Sequence, residues 1–270
     1  MTTDTAHLSD HSALPMFFQP IPDYFAGLTF FHRHCRKPIP HHISLMDLEE
    51  NFPEQDTNGR VKGLDLLSVK EKIIFDDIKH PKRKKHWLGG RTALKHALLS
   101  LMGHNMPLEN TGFTSLSILP DNNGRPTLTW PFHQPIPSVS ISHSGRYGVA
   151  MAAHTTTCGI DIQLTTPRIF NVRERLLSSE EWALLQASLT MHEDQEKLTI
   201  IWAAKEAVKK GMLYDQPLIF TGITLQEIII GNPLKLLFTC ANPRHPSALV
   251  QVIGINDYQL AFTQGGTEHA

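Results

Sequence analysis

Two stretches of the chain repeat one order of apolar and polar positions. The first sets an alternating apolar run, Ile43-Ser44-Leu45-Met46, ahead of Leu67-Ser68-Val69-Lys70-Glu71 and then Trp87-Leu88-Gly89-Gly90-Arg91-Thr92-Ala93-Leu94-Lys95. The second sets Cys158-Gly159-Ile160-Asp161-Ile162 ahead of Leu177-Ser178-Ser179-Glu180-Glu181 and then Trp202-Ala203-Ala204-Lys205-Glu206-Ala207-Val208-Lys209-Lys210. Ser68 and Ser178 each stand three residues before a glutamate, Glu71 and Glu181, which is the capping-box signature of a helix start. Leu198, Ile201, Trp202, Ala207 and Val208 keep one apolar stripe at helical spacing. Strand-rich runs close each half: Phe113 to Leu119, Pro126 to Trp130 and Val139 to Ala153 in the first, Ile223 to Leu237 and Ala248 to Phe262 in the second. Each last run carries a tyrosine, Tyr147 or Tyr258, just before its apolar exit. The pattern predicts an α+β fold made by pseudo-twofold duplication of two similar lobes, residues 1–154 and 155–270, with a cleft between them. The joint is expected near His154 to Thr157. Aligned on the tryptophans, Arg91 answers Glu206 and Lys95 answers Lys210.

Composition narrows the function classes. With 25 Lys and Arg against 26 Asp and Glu, the chain lacks the basic excess of a dedicated nucleic-acid binder, so any anion site is a local cluster. Its three cysteines, Cys35, Cys158 and Cys240, are dispersed and form no CxxC pair, which fits a reducing compartment. No apolar run reaches the ~18–20 residues that span a bilayer, and the first fifteen residues carry no Lys or Arg. A soluble cytoplasmic protein without a secretory leader is therefore expected. The sixteen histidines are scattered, with no HExxH and no Cys/His cluster, so zinc is not expected.

The chemistry concentrates on two carboxylates. Asp161 sits in the apolar strand Gly159-Ile160-Asp161-Ile162, where a charge is unfavourable unless a partner offsets it. Glu206 lies on a helix one turn before Lys210. Read singly, Asp161 caps a turn and Glu206 makes an ordinary ion pair with Lys210. Read together, GIDI, LSSEE and WAAKEAVKK resemble the 4'-phosphopantetheinyl transferase family in its larger two-lobed form, which pairs a G-[IV]-D strand with W-x-x-K-E-[AS]-x-x-K on a helix. Here Asp161 and Glu206 lie 206 − 161 = 45 positions apart. The resemblance extends through Lys82-Arg83-Lys84-Lys85-His86-Trp87-Leu88-Gly89-Gly90-Arg91, Gly124-Arg125-Pro126 and Ile141-Ser142-His143-Ser144, and covers roughly residues 60 to 262.

The resemblance implies attack by a serine of an acyl or peptidyl carrier protein on the β-phosphorus of coenzyme A, releasing 3',5'-ADP. It implies Mg2+ held by Asp161 and Glu206, Glu206 as the base for the serine hydroxyl, and Lys210 stabilising the leaving phosphate. Coenzyme A phosphates require point cations and fork donors. Those assigned are Lys84, Lys85, His86, Arg91, Arg125, Pro126, Ser142, His143, Lys205 and Lys210. Many relatives carry an acidic residue two after the strand aspartate. Gln163 stands there, an amide whose oxygen still coordinates but adds no charge. Glu193, Asp194 and Glu196 read as solvated linker, and Phe170 and Leu176 as candidate carrier contacts or core. The duplication makes a monomer the natural expectation. Two rival readings stay open at this level: a non-catalytic coenzyme A or nucleotide binder, for which Gln163 speaks, and a purely structural pseudo-dimer.

Overall fold

The structure is a computed structural model that describes residues 30–35, 41–52, 63–102, 113–131, 133–213 and 222–265. The leader expectation rests on residues outside these. Strands β1 (Phe30–Cys35), β2 (His41–Asp47), β5 (Ser138–Ser144) and β6 (Tyr147–Ala153) form an antiparallel sheet in the order β1-β2-β6-β5. A second antiparallel sheet has the order β7-β11-β10-β9-β8: β7 (Cys158–Leu164), β8 (Ile223–Ile229), β9 (Leu234–Asn242), β10 (His245–Ile255) and β11 (Tyr258–Gln264). Strands β3 (Ser117–Pro120) and β4 (Pro126–Thr129) pair as a separate hairpin. Phe113–Ser115 is a 3-10 turn and not part of the expected strand, and the Phe113 carbonyl serves a buried lysine described below.

Each sheet carries a helix on one face and meets the other sheet on the opposite face. After α1 (Leu48–Asn51) and α2 (Val69–Asp77), the long helix α3 (Pro81–Met102) covers the first sheet, with α2 packed between α3 and β3. After α4 (Arg173–Leu176), the helices α5 (Ser179–Ser188) and α6 (Asp194–Met212) cover the second. Between the sheets, Ile43, Leu45, Val149 and Met151 pack with Ile160, Ile162, Leu260 and Phe262 in a third apolar cluster. Strand alternation follows: in β7, Cys158, Ile160 and Ile162 enter this middle cluster, so Gly159, Asp161 and Gln163 face the helix side. Burial on both faces explains why these strands read as continuous apolar runs. Among the described residues, no helix is long and apolar enough to cross a membrane.

The sequence repeat has a geometric counterpart, in a different register from the one the tryptophans predict. Ser68 and Glu71 close a capping box at the start of α2, as Ser178 and Glu181 do at the start of α5. Lys95 reaches Glu71 at 2.7 Å and the Leu66 carbonyl at 2.6 Å; Lys205 reaches Glu181 and the Leu176 carbonyl, both at 2.8 Å. The offsets agree: 178 − 68 = 181 − 71 = 205 − 95 = 176 − 66 = 110. Lys95 therefore answers Lys205, not Lys210, and His96 answers Glu206. In the sheets, Ser44 pairs with Ala150 and Asp161 with Ala261, an offset of 261 − 150 = 111. Ser44 thus occupies the place of Asp161, and Ser44 Oγ lies 2.7 Å from His96 Nδ1, a hydroxyl and an imidazole where the second half has two carboxylates.

The two sheets join along a ladder of serines. On β5, the hydroxyls of Ser140, Ser142 and Ser144 accept the amides of Ile160, Ile162 and Leu164 on β7 at 3.1, 3.4 and 3.0 Å. These bonds satisfy the edge of β7 that does not pair with β11, and they draw the Ile141-Ser142-His143-Ser144 run alongside Asp161.

Candidate active site

Gly159 brings the strand aspartate to the helix glutamate. A methyl group at this position would overlap the Ala207 carbonyl and press on the Gly211 amide of α6, so only glycine lets β7 lie this close to the helix. Asp161, two residues on, is 5% exposed, a placement that requires partners. Its Oδ1 accepts the Ser142 hydroxyl at 2.6 Å and the Lys210 ammonium at 2.7 Å. Its Oδ2 is buried and has no hydrogen-bond partner.

Glu206 faces the same space from α6. Burial, and then the Asp161 charge, push its carboxyl above the ordinary range, only partly countered by Lys210 and Lys209. A second carboxylate beside Asp161, one of whose oxygens is left unsatisfied, makes a site short of positive charge. Gln163 lies on the same face of β7 and lines the cavity with them. Among the described residues no three His, Cys, Asp or Glu side chains gather around one point. Two carboxylates with substrate phosphates and water are the donor set that Mg2+ usually takes, so the residues present fit that ion.

The first half supplies the opposite wall. A cavity of about 370 Å³ is lined by Arg91, Gly124, Pro126, Ser142 and His143 together with Asp161, Gln163, Trp202, Glu206 and Lys210. Arg91 lies over the Trp87 ring at 4.2 Å, and burial lowers its pKa to about 10, which leaves it charged at neutral pH. His143 borders the cavity with its ring centroid 4.6 Å from that of His86. Burial of its inner side, His86 and Lys210 pull its pKa down to about 4, so at neutral pH it offers a neutral imidazole and not a cation.

Other expected site residues lie elsewhere. Lys84, Lys85 and His86 line an adjoining cavity of about 770 Å³, with Lys82, Phe75 and Arg146, and Lys84 caps the Phe75 ring at 4.4 Å. Of these, His86 approaches the site, through His143. Arg125 lines a third cavity, of about 1020 Å³, with Asp121, Ser138 and His154. Lys205 does not reach the carboxylate cavity: it is 1% exposed and its ammonium is held by Glu181 and the Leu176 carbonyl. Leu176 is fully buried and belongs to the core, whereas Phe170 is 47% exposed. Glu193, Asp194 and Glu196 are not linker. Glu193 stands at the N-cap position of α6 and Asp194 and Glu196 in its first turn, where negative charge suits the positive end of the helix. Sequence reading missed the bridging of Ser142 to Asp161. The glycine before Ile160 signalled the close strand–helix contact, but nothing local signalled that bridge.

Comparison with known proteins finds a family model that matches within the second half of the chain. A family model described as the 4'-phosphopantetheinyl transferase superfamily matches residues 157–263. The chain is 33% identical over 112 residues to a holo-[acyl-carrier-protein] synthase of Streptococcus agalactiae, covering 42% of this chain and 92% of that protein. It is 36% identical over 109 residues to a protein of the same name from Geobacillus sp., covering 40% of this chain and 88% of the relative. A solved holo-(acyl-carrier-protein) synthase of Bacillus anthracis, in complex with CoA (3',5'-ADP), is 24% identical with a TM-score of 0.35, covering 42% of this chain and 92% of that structure.

Proposed function

We propose, because this chain belongs to the 4'-phosphopantetheinyl transferase superfamily, that it transfers the phosphopantetheine arm of coenzyme A to a serine of an acyl or peptidyl carrier protein. The observation that carries this reading is the meeting of Asp161, Glu206 and Lys210 with Ser142, His143 and Arg91 around one cavity. Residues up to 154 supply the phosphate-binding wall, and residues from 155 supply the carboxylates. Because residues of both halves line the one cavity, a monomer suits as the working unit, and the dispersed cysteines suit a cytoplasmic enzyme.

In the reaction, the carrier serine oxygen bonds to the β-phosphorus of coenzyme A while the bond to the bridging oxygen breaks and 3',5'-ADP leaves. Asp161, Glu206 and the Gln163 amide oxygen would hold Mg2+, which would neutralise pyrophosphate charge. Glu206 takes the serine proton. Lys210 places an ammonium beside the leaving phosphate and also orients Asp161. Arg91 supplies a fork donor, and the neutral His143 ring a directional hydrogen bond. Lys82, Lys84 and Lys85, one cavity away, suit the 3'-phosphate end of the same ligand.

Incubation with apo carrier protein, coenzyme A and Mg2+ is expected to raise the carrier's intact mass by one phosphopantetheine. Normal coenzyme A binding without any mass gain on several carriers would instead establish the non-catalytic binder.

A further inference from the structure

The turn that follows His143 is gripped from the other half of the chain by a tyrosine. Strands β5 and β6 are joined through Gly145 and Arg146, and β10 and β11 through Asn256 and Asp257. These turns correspond at the same offset as the sheets, 256 − 145 = 257 − 146 = 111, and Gly145 and Asn256 both adopt left-handed backbone, at φ 53° and 51°. The tyrosine after each turn, Tyr147 or Tyr258, crosses to the opposite one. Tyr258 Oη accepts the Arg146 amide at 3.1 Å, and Tyr147 Oη accepts the Asn256 side-chain amide at 3.2 Å. Their rings meet edge to face with centroids 4.8 Å apart. The exchange is reciprocal, yet only one side of it touches the cavity wall. The Gly145–Arg146 turn carries His143, whereas the Asn256–Asp257 turn carries no residue that lines the cavity.

We infer that Tyr258 is a positioning residue for His143, holding the phosphate-binding wall at a fixed distance from the carboxylates of the second half; this rests on the reading of the site given above. The hydroxyl sits so close to the turn that a methyl group on Gly145 would collide with it, so the contact admits only glycine. On its other sides the turn is tied within the first half. His86 Nε2 lies 2.9 Å from the Gly145 carbonyl, Arg146 binds Asp47 through its guanidinium, and the Leu48 amide donates to the Arg146 carbonyl at 2.7 Å. Those bonds fix the turn relative to α3 and α1. The Tyr258 hydroxyl and the Ser144–Leu164 bond fix it relative to β11 and to β7, the strand that carries Asp161.

The test compares two identical deletions in the same ring pair. Tyr258→Phe is expected to weaken coenzyme A binding, measured by calorimetry on the full chain, about fivefold, the scale of one lost neutral hydrogen bond. Tyr147→Phe removes an equivalent hydroxyl from the same interface and is expected to leave the dissociation constant within about twofold, while the two variants lower Tm alike. In a His143→Ala background, Tyr258→Phe is expected to have no further effect on binding, since its action passes through that ring. Equal effects of the two tyrosine variants, an unchanged constant in Tyr258→Phe, or effects of Tyr258→Phe and His143→Ala that multiply would each overturn the inference. Calorimetry needs no turnover, so it decides the role of Tyr258 separately from the carrier-mass assay that decides the function.

Discussion

Glu206→Gln is expected to abolish transfer, with kcat falling by at least about 10³-fold, near the upper range for loss of a general base. The substitution keeps shape and hydrogen-bonding capacity but removes both the proton acceptor and half of the paired carboxylate charge. The fold is expected to gain stability and not lose it, because burial and the neighbouring Asp161 disfavour the charged form of Glu206. The sign follows from linkage. A carboxyl whose pKa is raised on folding contributes stability that is present below its unfolded pKa and is lost as pH rises through the folded value. In metal-free buffer the variant should therefore melt above wild type at pH 7, with the gap closing on acidification into the ordinary glutamate range. Thermal melts across pH and single-turnover transfer assays check both halves. Retained turnover would remove Glu206 as the base, and a Tm gap that widened on acidification would contradict its environment.

Lys205→Met is expected to act on folding and not on coenzyme A. The ammonium is bound to Glu181, and the two side chains are 1% and 6% exposed, so removing the lysine strands a buried carboxylate. Breaking such a pair from one side destabilises by about 3–5 kcal/mol, a fall in Tm on the order of 10 °C for a chain of this size. Glu181 has further duties that make its position matter: it closes the capping box of α5 and accepts the Leu225 amide at 2.7 Å, tying that helix to β8. Glu181→Gln combined with Lys205→Met is expected to be less harmful than Lys205→Met alone, because no charge is then left unpaired. Coenzyme A affinity of the folded variant should stay within about twofold of wild type. A variant with normal Tm and affinity reduced tenfold would make Lys205 a phosphate ligand and contradict its placement.

How far the sequence carried depended on the range of the interactions involved. Both capping boxes were legible because a serine and a glutamate three residues apart form a local device that needs no tertiary context. Asp161 and Glu206 were legible because a charge in an apolar strand and a glutamate on a helix invite a shared explanation, and the cavity brings them together. The register of the duplication was not. Tryptophan is the loudest residue in both segments, but Trp87 and Trp202 are not equivalent. The features that repeat are buried lysines reaching back to the preceding capping box, with 95 − 71 = 205 − 181 = 24 residues between partners. Lys205 shows the same limit: motif position suggested phosphate, and only the packing of α5 against α6 reveals that its ammonium turns inward. The serine ladder and the crossed tyrosines depend on which strand edges and turns meet across the two halves, which no local pattern encodes.

The most direct measurement is a crystal of this chain grown with coenzyme A and Mn2+, the latter standing in for magnesium and located by its anomalous signal. The expected result is one manganese peak per chain, about 2.1 Å from oxygens of both Asp161 and Glu206, with the pyrophosphate between it and the wall formed by Ser142, His143 and Arg91. A peak bound by only one of those carboxylates, or a pyrophosphate seated away from that wall, would contradict the account.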